Sequence, residues 1–211
     1  HYPLKGNKCI QNNKNNKSTQ LYNNIKNILI DEDVIFFGGY AMSLYNNVSP
    51  KNKKINEPTF DILSNNPLEI ANIIKDNLNN TDVSIIKHKN VGEIISEHIE
   101  VKFNKKSCCF IYKPLGCHNY NVININNKEV KIASIDTMLS FYLAFVYSNN
   151  KYYDASRILC MCELLFNIQK ENILKNKGLL KRFSIKCYGK QHTLIDSRIE
   201  KSNMWEKLKN K

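Results

Sequence analysis

The sequence contains the stretch Val34-Ile35-Phe36-Phe37-Gly38-Gly39-Tyr40-Ala41-Met42-Ser43, and this stretch decides the fold. Its first four residues are apolar and predict a short buried strand, while residues 40–45 predict the start of a helix. The two glycines between them can adopt a positive φ and let the backbone approach a phosphate closely. The first N–H groups of the helix would offer hydrogen bonds and a partial positive charge to such an anion. The stretch therefore favours an α/β domain with a candidate phosphate-binding turn.

Ser43 lies one turn into this predicted helix and could add a hydroxyl to the same anion site. The Gly38–Gly39 pair also fits a tight strand-to-helix turn that binds nothing, because glycine is common in any such turn. Both interpretations of the turn stay open at this point.

Asp61 lies in the next predicted strand, residues 59–63. Side chains alternate along a strand, so positions 57, 59 and 61 face the same way. Nucleotidyl transfer with two metals needs carboxylates on one face, because they hold two Mg²⁺ about 3.5–4 Å apart. The order of a glycine turn, a helix and then an acidic strand suits this chemistry. A cap or an edge position is the alternative role for Asp61.

Glu100 is an acid among apolar neighbours in a later predicted strand, residues 94–103. A further metal-binding carboxylate, beyond those of the acidic strand that contains Asp61, would fall on such a later strand. Glu97 lies nearer a polar turn and is a less attractive candidate. The alternative is that Glu100 lies on the exposed face of a half-buried strand, paired with Lys102 or another neighbour.

Hydrophobic periodicity predicts the remaining elements. Helices are expected at 21–30, 68–78, 134–146 and 153–169, strands at 83–88 and 107–112, and a hairpin at 121–132 around Asn126-Asn127. Ser134 is expected to cap its helix and Asp136 to complement the helix dipole or line a nucleotide pocket, while Asp154 and Arg157 suggest a surface ion pair. The predicted organisation is a polar lead-in at 1–20, an α/β domain at 21–130 and a basic helical region at 131–211.

The chain carries a formal net charge of +12 and a sequence pI near 9.3, which favours an anionic partner such as nucleic acid. Residues 175–211 are rich in Lys and Arg. Lys181, Arg182, Lys186 and Lys190 surround Tyr188, and such a mixture of cations with an aromatic suits phosphate contact and base stacking. The alternatives are a solvated basic face and the Lys/Asn bias of an AT-rich genome.

The sequence has seven cysteines, and their spacing contains no C-x-x-C pair. Neither a zinc site nor a disulfide framework is predicted, and free thiols in a reducing compartment are the simplest expectation. No run of 18 apolar residues is present, so no membrane partner is expected. A first residue His1 suggests a start inside a longer protein.

These motifs resemble the catalytic subunit of poly(A) polymerase from large nucleocytoplasmic DNA viruses, of the mimivirus type and more distantly the poxvirus type. The stretches that carry the resemblance are residues 36–45, 60–64, 132–145 and 178–184, within a region of roughly 21–200. The resemblance implies an α/β fold with a nucleotidyltransferase-type mixed β-sheet and flanking helices, followed by an α-helical region. It also implies a cytoplasmic protein, in a viral factory or virion.

The resemblance further implies template-independent addition of adenylates from ATP to RNA 3′ ends, with Mg²⁺ or Mn²⁺ as cofactor. Under that resemblance, Asp61 and Glu100 hold the metals and Gly38, Gly39 and Ser43 contact the ATP triphosphate. The four cations Lys181, Arg182, Lys186 and Lys190 help to bind RNA. The implied partners are RNA and ATP, with a possible homodimer or a place as a heteromeric subunit.

Thr59 departs from the pattern of the superfamily, which has an acid at this position, two residues before the acid that matches Asp61. A neutral hydroxyl is a poor Mg²⁺ ligand beside a carboxylate. Glu57 shares the face but lies roughly 7 Å further along the strand. Two hypotheses follow: an active poly(A) polymerase, or a catalytically weak or inactive homologue that acts as an RNA-binding or scaffolding subunit.

Overall fold

The computed structural model describes residues 18–47, 59–78, 82–148, 153–182, 184–191 and 193–209. Most of the predicted lead-in at 1–20, Glu57 and most of the predicted loop at 46–56 lie outside these described residues. No helix within the described ranges is long and apolar enough to cross a membrane.

Helices and strands alternate as far as β3, the strands β3 to β7 then follow one another, and helices dominate the last third of the chain. In chain order the elements are α1 (Ser18–Asp31), β1 (Ile35–Phe37), α2 (Gly38–Asn46), β2 (Phe60–Leu63), α3 (Pro67–Asn77), β3 (Val83–His88), β4 (His98–Phe103), β5 (Lys106–Tyr112), β6 (His118–Ile125), β7 (Lys128–Ala133), α4 (Ile135–Tyr147), α5 (Ala155–Glu171), β8 (Cys187–Tyr188) and α6 (Leu194–Lys209).

The strands form one mixed sheet in the described part of the chain, in the order β3-β4-β5-β2-β1-β7-β6-β8. The pairs β1–β7 and β2–β5 are parallel, and the other neighbouring pairs are antiparallel. The prediction of an α/β fold with a mixed sheet, flanking helices and a helical C-terminal part is confirmed.

Both faces of the central strands are covered, which explains why β1 is apolar throughout rather than alternating. On one face, Phe60 of β2 stacks on Tyr22 of α1 with ring centroids 4.4 Å apart. On the other face, Phe37 of β1 stacks on Phe141 of α4 at 4.6 Å. The central strand is thus buried between helices, and the turn that follows it is held in place by packing on both sides.

Local sequence signals decide several element ends. Asn126 and Asn127 both have positive φ, as expected for a tight hairpin turn between β6 and β7. Ser134 caps α4, since its hydroxyl accepts a hydrogen bond from the backbone N–H of Thr137 at 3.3 Å. The strand predicted at 94–103 begins only at His98, because residues 91–95 form a small isolated bridge.

Asp154 caps a helix, a role that the predicted surface pair with Arg157 did not include. Its carboxylate accepts a hydrogen bond from the backbone N–H of Arg157 at 3.2 Å and so caps the N-terminus of α5.

The sheet draws on both of the predicted parts of the chain. β7 runs across the predicted boundary between residues 130 and 131, and β8 pairs with the start of β6, with His118 opposite Tyr188. The division at 130 stays a prediction about domains.

The expectation of free thiols throughout is wrong. Cys117 and Cys187 form a disulfide, with Cα atoms 5.3 Å apart, and Cys160 is also disulfide-bonded. Cys108, Cys109 and Cys162 are free and buried, as expected. The spacing of the cysteines could not show that β8 returns to the sheet beside the residue that precedes β6.

Candidate functional site

The glycine turn and the strand acid meet where β1 ends. Phe37, the last residue of β1, is paired with Asp61 of β2, and Gly38 follows as the first residue of α2. Gly38 has a φ of +72°, and a Cβ atom there would lie 2.1 Å from Oδ2 of Asp61. The carboxylate therefore packs directly on the glycine backbone, and no larger residue fits at position 38 without a shift.

The beginning of α2 supplies the groups that were expected to contact a triphosphate. Gly39 is buried in the first turn, and Ser43 is half-buried one turn later. The Ser43 hydroxyl donates to the carbonyl of Tyr40 at 2.7 Å, so its proton is already used within the helix. What α2 offers to an anion is thus its backbone N–H groups and the acceptor side of one hydroxyl.

Tyr153 lies near Asp61, and no local sequence pattern predicts that the two come together. Burial is the main cause that raises the pKa of Tyr153, and the negative charge of Asp61 raises it further. The Tyr153 hydroxyl is 3.4 Å from that of Tyr112, and its ring stacks on Phe145 at 4.4 Å. Tyr153, which lies just before α5, thus belongs to an aromatic cluster with Tyr112 of β5 and Phe145 of α4.

Glu100 is not beside Asp61. The strand register aligns Asp61 with Phe110 of β5, and Phe110 with Glu100 of β4, so that a whole strand separates the two acids. Neighbouring strands lie about 4.8 Å apart, which puts the two backbones about 10 Å apart. Phe110 occupies the position between them, and it is buried.

Glu100 is instead the buried centre of a polar cluster whose other members are partly exposed. It is 2% exposed, and its carboxylate lies 2.8 Å from Nε2 of His88 and 3.4 Å from Nζ of Lys102, while the Ser107 hydroxyl donates to it. Burial alone would raise the pKa of Glu100, but the hydrogen bonds from Ser107 and His88 and the charge of Lys102 outweigh burial and lower it. The pairing with Lys102 that the sequence left open is present, although Glu100 itself is buried and not exposed.

We expect this cluster to give the protein a pH-dependent stability. Because the pKa of Glu100 is lowered on folding, its stabilisation is complete above the ordinary value of 4.5 and is lost as the pH falls through the lower folded value. Glu100→Gln should cost about 2 kcal/mol in unfolding free energy near pH 7 and much less near pH 3. Thermal melts at both pH values measure this difference.

Glu97→Gln is the matched control, because Glu97 is an exposed acid whose contact with Lys113, at 3.7 Å, is a surface pair. We expect it to change the stability by less than about 0.5 kcal/mol at either pH. An equal loss for Glu100→Gln at both pH values would contradict the expected role of the ionised carboxylate.

The described residues do not fit a pair of divalent metal ions. Across the described strands β1, β2 and β5, Asp61 is the only acidic residue, and Thr59, just before β2, is half-buried. The described part of the chain also contains no group of three or more His, Cys, Asp or Glu that could hold a metal. The acids expected to share the metals, Asp61 and Glu100, are not brought together.

The four predicted RNA-binding cations fall into two groups. Arg182 is partly used in the fold, because its guanidinium donates to the carbonyl of Ile173 at 2.7 Å and its backbone N–H donates to Asn176 at 2.9 Å. Lys181, Lys186 and Lys190 are exposed. Asp136 lines a small cleft together with Lys181 and Arg182.

Several contacts hold the segment 184–190 against the rest of the protein. The Lys186 carbonyl accepts from the backbone of Tyr120 at 3.2 Å, and the Tyr188 hydroxyl accepts from the backbone of Asn65 at 3.0 Å. Gly189 has a φ of +91°, and a Cβ there would lie 2.2 Å from the carbonyl oxygen of Gly116. Together with the disulfide of Cys187, these contacts fix the backbone that carries the cations.

Known structures show which fold this is. No family model and no curated protein matches the sequence. The crystal structure of the Megavirus polyadenylate synthase superposes with a TM-score of 0.71 at 15% identity, over 99% of this chain and 46% of that one. At this identity the likeness shows the fold, which is nucleotidyltransferase-like. The chain spans less than half the length of the Megavirus protein.

Two further matches are weaker. The antibiotic-resistance factor ANT(2'')-Ia, in a solution structure, matches with a TM-score of 0.48 at 10% identity, over 94% of this chain and 100% of that one. An antigenic nucleotidyltransferase-like protein from Paracoccidioides brasiliensis matches with a TM-score of 0.43 at 13% identity, over 72% and 75% of the two chains.

Proposed function

We propose that this chain is a nucleotidyltransferase-fold domain of the poly(A) polymerase type that binds RNA and does not itself transfer adenylates. The observation that carries the proposal is the lone carboxylate of Asp61 among the strands β1, β2 and β5. Such a domain would serve as an RNA-binding or scaffolding subunit of a larger polyadenylation assembly.

The chemistry of the site supports the absence of transfer. A pair of metal ions needs carboxylates that face both ions at once, because the ions are only about 4 Å apart. Thr59 offers a hydroxyl where the family that the chain resembles has an acid. Glu100 is about 10 Å away across Phe110 and is held by its own partners, so it cannot supply the missing ligand.

The charge of the protein supports a role in RNA binding. The formal net charge is +12, Lys181 is exposed, and the exposed Lys186 and Lys190 lie on a backbone that the sheet and a disulfide hold in place. A backbone that is already held loses little freedom when its cations contact phosphates, which favours binding. The fold that the chain shares with the Megavirus polyadenylate synthase agrees with an RNA partner.

The competing hypothesis is that the chain itself adds adenylates from ATP with Mg²⁺ or Mn²⁺. The contact between Gly38 and Asp61 at the start of α2 favours it, since a glycine turn beside an acid is what a nucleotide-binding site of this kind needs. Asp61 would then be an indispensable ligand of the metal.

Primer extension separates the two hypotheses. With ATP, an oligoadenylate primer and Mg²⁺ or Mn²⁺, we expect the wild-type chain and Asp61→Ala to show the same background incorporation, while both bind the primer. Incorporation by the wild type that Asp61→Ala abolishes would overturn the proposal in favour of the enzyme. Thr59→Asp, with Thr59→Asn as a neutral control of similar size, tests whether an acid at this position restores transfer.

A further inference from the structure

Helix α6 is well formed but hardly packed. Its N-terminus has a reciprocal cap, in which the Asp196 carboxylate accepts from the backbone of Thr193 at 2.9 Å and the Thr193 hydroxyl accepts from the backbone of Asp196 at 3.1 Å. The residues of α6 are exposed, apart from the half-buried Asp196 and Ser197. Trp205 is 63% exposed, although tryptophan is a side chain that folding normally buries.

The charges of α6 are sorted around the helix. Successive residues are about 100° apart, so Arg198, Lys201 and Lys209 lie within about 40° of Trp205 on one side. The acids lie at least about 100° away from Trp205, and Lys207 is the cation that lies with them. The acids are Asp196, Glu200 and Glu206. We call the surface made by Arg198, Lys201, Trp205 and Lys209 the Trp205 face.

The mixture on the Trp205 face suits one kind of partner. A helix that lies on a membrane separates its cations from its aromatic and aliphatic residues, and a helix that fills a protein groove presents an apolar stripe. The exposed apolar residues of α6 are instead spread over about 220° of the helix, and the Trp205 face interleaves cations with the aromatic ring at spacings of three, four and seven residues. These apolar residues are Leu194, Ile195, Ile199, Met204 and Leu208. Binding of single-stranded nucleic acid uses this combination, in which bases stack on an aromatic ring and cations contact the backbone.

We propose that the Trp205 face is a binding surface for single-stranded RNA, with Trp205 stacked on a base and Arg198, Lys201 and Lys209 against the flanking phosphates. This inference rests on the proposed RNA-binding function and gives it a location beyond the segment 181–190. Charge complementarity to the RNA phosphates favours this face, because the acids of α6 all lie on the other side of the helix.

Trp205 is the only tryptophan in the sequence, so its fluorescence reports on this face directly. We expect a single-stranded oligoadenylate to quench the emission of the full chain. Trp205→Ala should weaken binding by roughly 5- to 150-fold, which corresponds to the loss of one stacked base, and Trp205→Phe should retain most of the affinity. Since α6 buries little, each variant should keep the melting temperature of the wild type.

The cations are tested by salt dependence. The double variant Arg198→Gln and Lys201→Gln should reduce the slope of log affinity against log salt by about 1.4, because each phosphate contact to a single strand contributes about 0.7. Lys207→Gln is the matched control, with the same change on the opposite side of the helix, and it should leave most of the slope in place.

The outcomes separate this inference from the function on which it rests. Quenching by oligoadenylate with weaker binding by Trp205→Ala supports it. Unchanged binding by Trp205→Ala, with weaker binding by Lys186→Gln and Lys190→Gln, overturns the Trp205 face and leaves the RNA-binding function standing. A chain that binds no RNA overturns both. If Trp205 emission changes with anionic vesicles and not with oligoadenylate, the inference is overturned in favour of a membrane. If it changes only with protein concentration, the inference is overturned in favour of a second copy of the chain.

Discussion

Gly38→Ala should destabilise the protein by about 3–5 kcal/mol, or prevent it from folding. Two costs add at this position: a residue with a side chain is strained at a φ of +72°, and its Cβ would overlap Oδ2 of Asp61 at 2.1 Å. The Cβ of Asp61 would also lie only 2.6 Å away, and it can move only with the backbone of β2, which is paired with β1. Chemical denaturation of the purified variant measures the loss.

Gly92→Ala is the matched control for this prediction. Gly92 also has a positive φ, +55°, but nothing lies within 4 Å of the position that a Cβ would take. It should cost only about 1 kcal/mol, the conformational part alone. Losses of equal size at both glycines would contradict the idea that the carboxylate of Asp61 is what keeps position 38 a glycine.

Breaking the disulfide between Cys117 and Cys187 should have the second large effect. The two residues are 70 apart in sequence, and closing a loop of that length in the unfolded chain corresponds to about 4 kcal/mol in the chain-entropy account. The double variant Cys117→Ser and Cys187→Ser should therefore melt well below the wild type under non-reducing conditions. Its RNA affinity should also fall, because the disulfide helps to hold the segment that carries Lys186 and Lys190.

Cys162→Ser is a useful comparison, because Cys162 is a free buried thiol and its loss removes no cross-link. Titration of thiols in the denatured, unreduced wild type should show both Cys117 and Cys187 to be blocked. Equal melting temperatures for the double variant and the wild type would contradict the expected contribution of the cross-link.

The sequence was a good guide where the signal is local. The apolar run of β1, the Asn126-Asn127 turn and the Ser134 cap each depend on a few adjacent residues, and each is present in the structure. The contact of Gly38 with Asp61 was also within reach, because a strand that follows a turn and a helix often returns to the strand before it.

Long-range relations were beyond the sequence. The two-residue strand β8 has too short a pattern to recognise, so the sequence could not show that Cys187 reaches Cys117. The place of Glu100 depends on which strand lies beside β2, and chain order does not determine strand order in the sheet. Tyr153 comes near Asp61 only because α4 and α5 fold back over the sheet.

The placement of Phe110 between Asp61 and Glu100 has an evolutionary consequence. Two residues at aligned positions of a sheet are separated by about 4.8 Å for each strand step between them. Only a change in strand order can alter the number of strands between them. Glu100 therefore cannot be recruited beside Asp61 by small adjustments. A single codon change at Thr59 or Phe110, by contrast, can place a second acid next to the first. We therefore expect any difference between a domain of this fold that transfers adenylates and one that does not to lie at one or two positions beside Asp61.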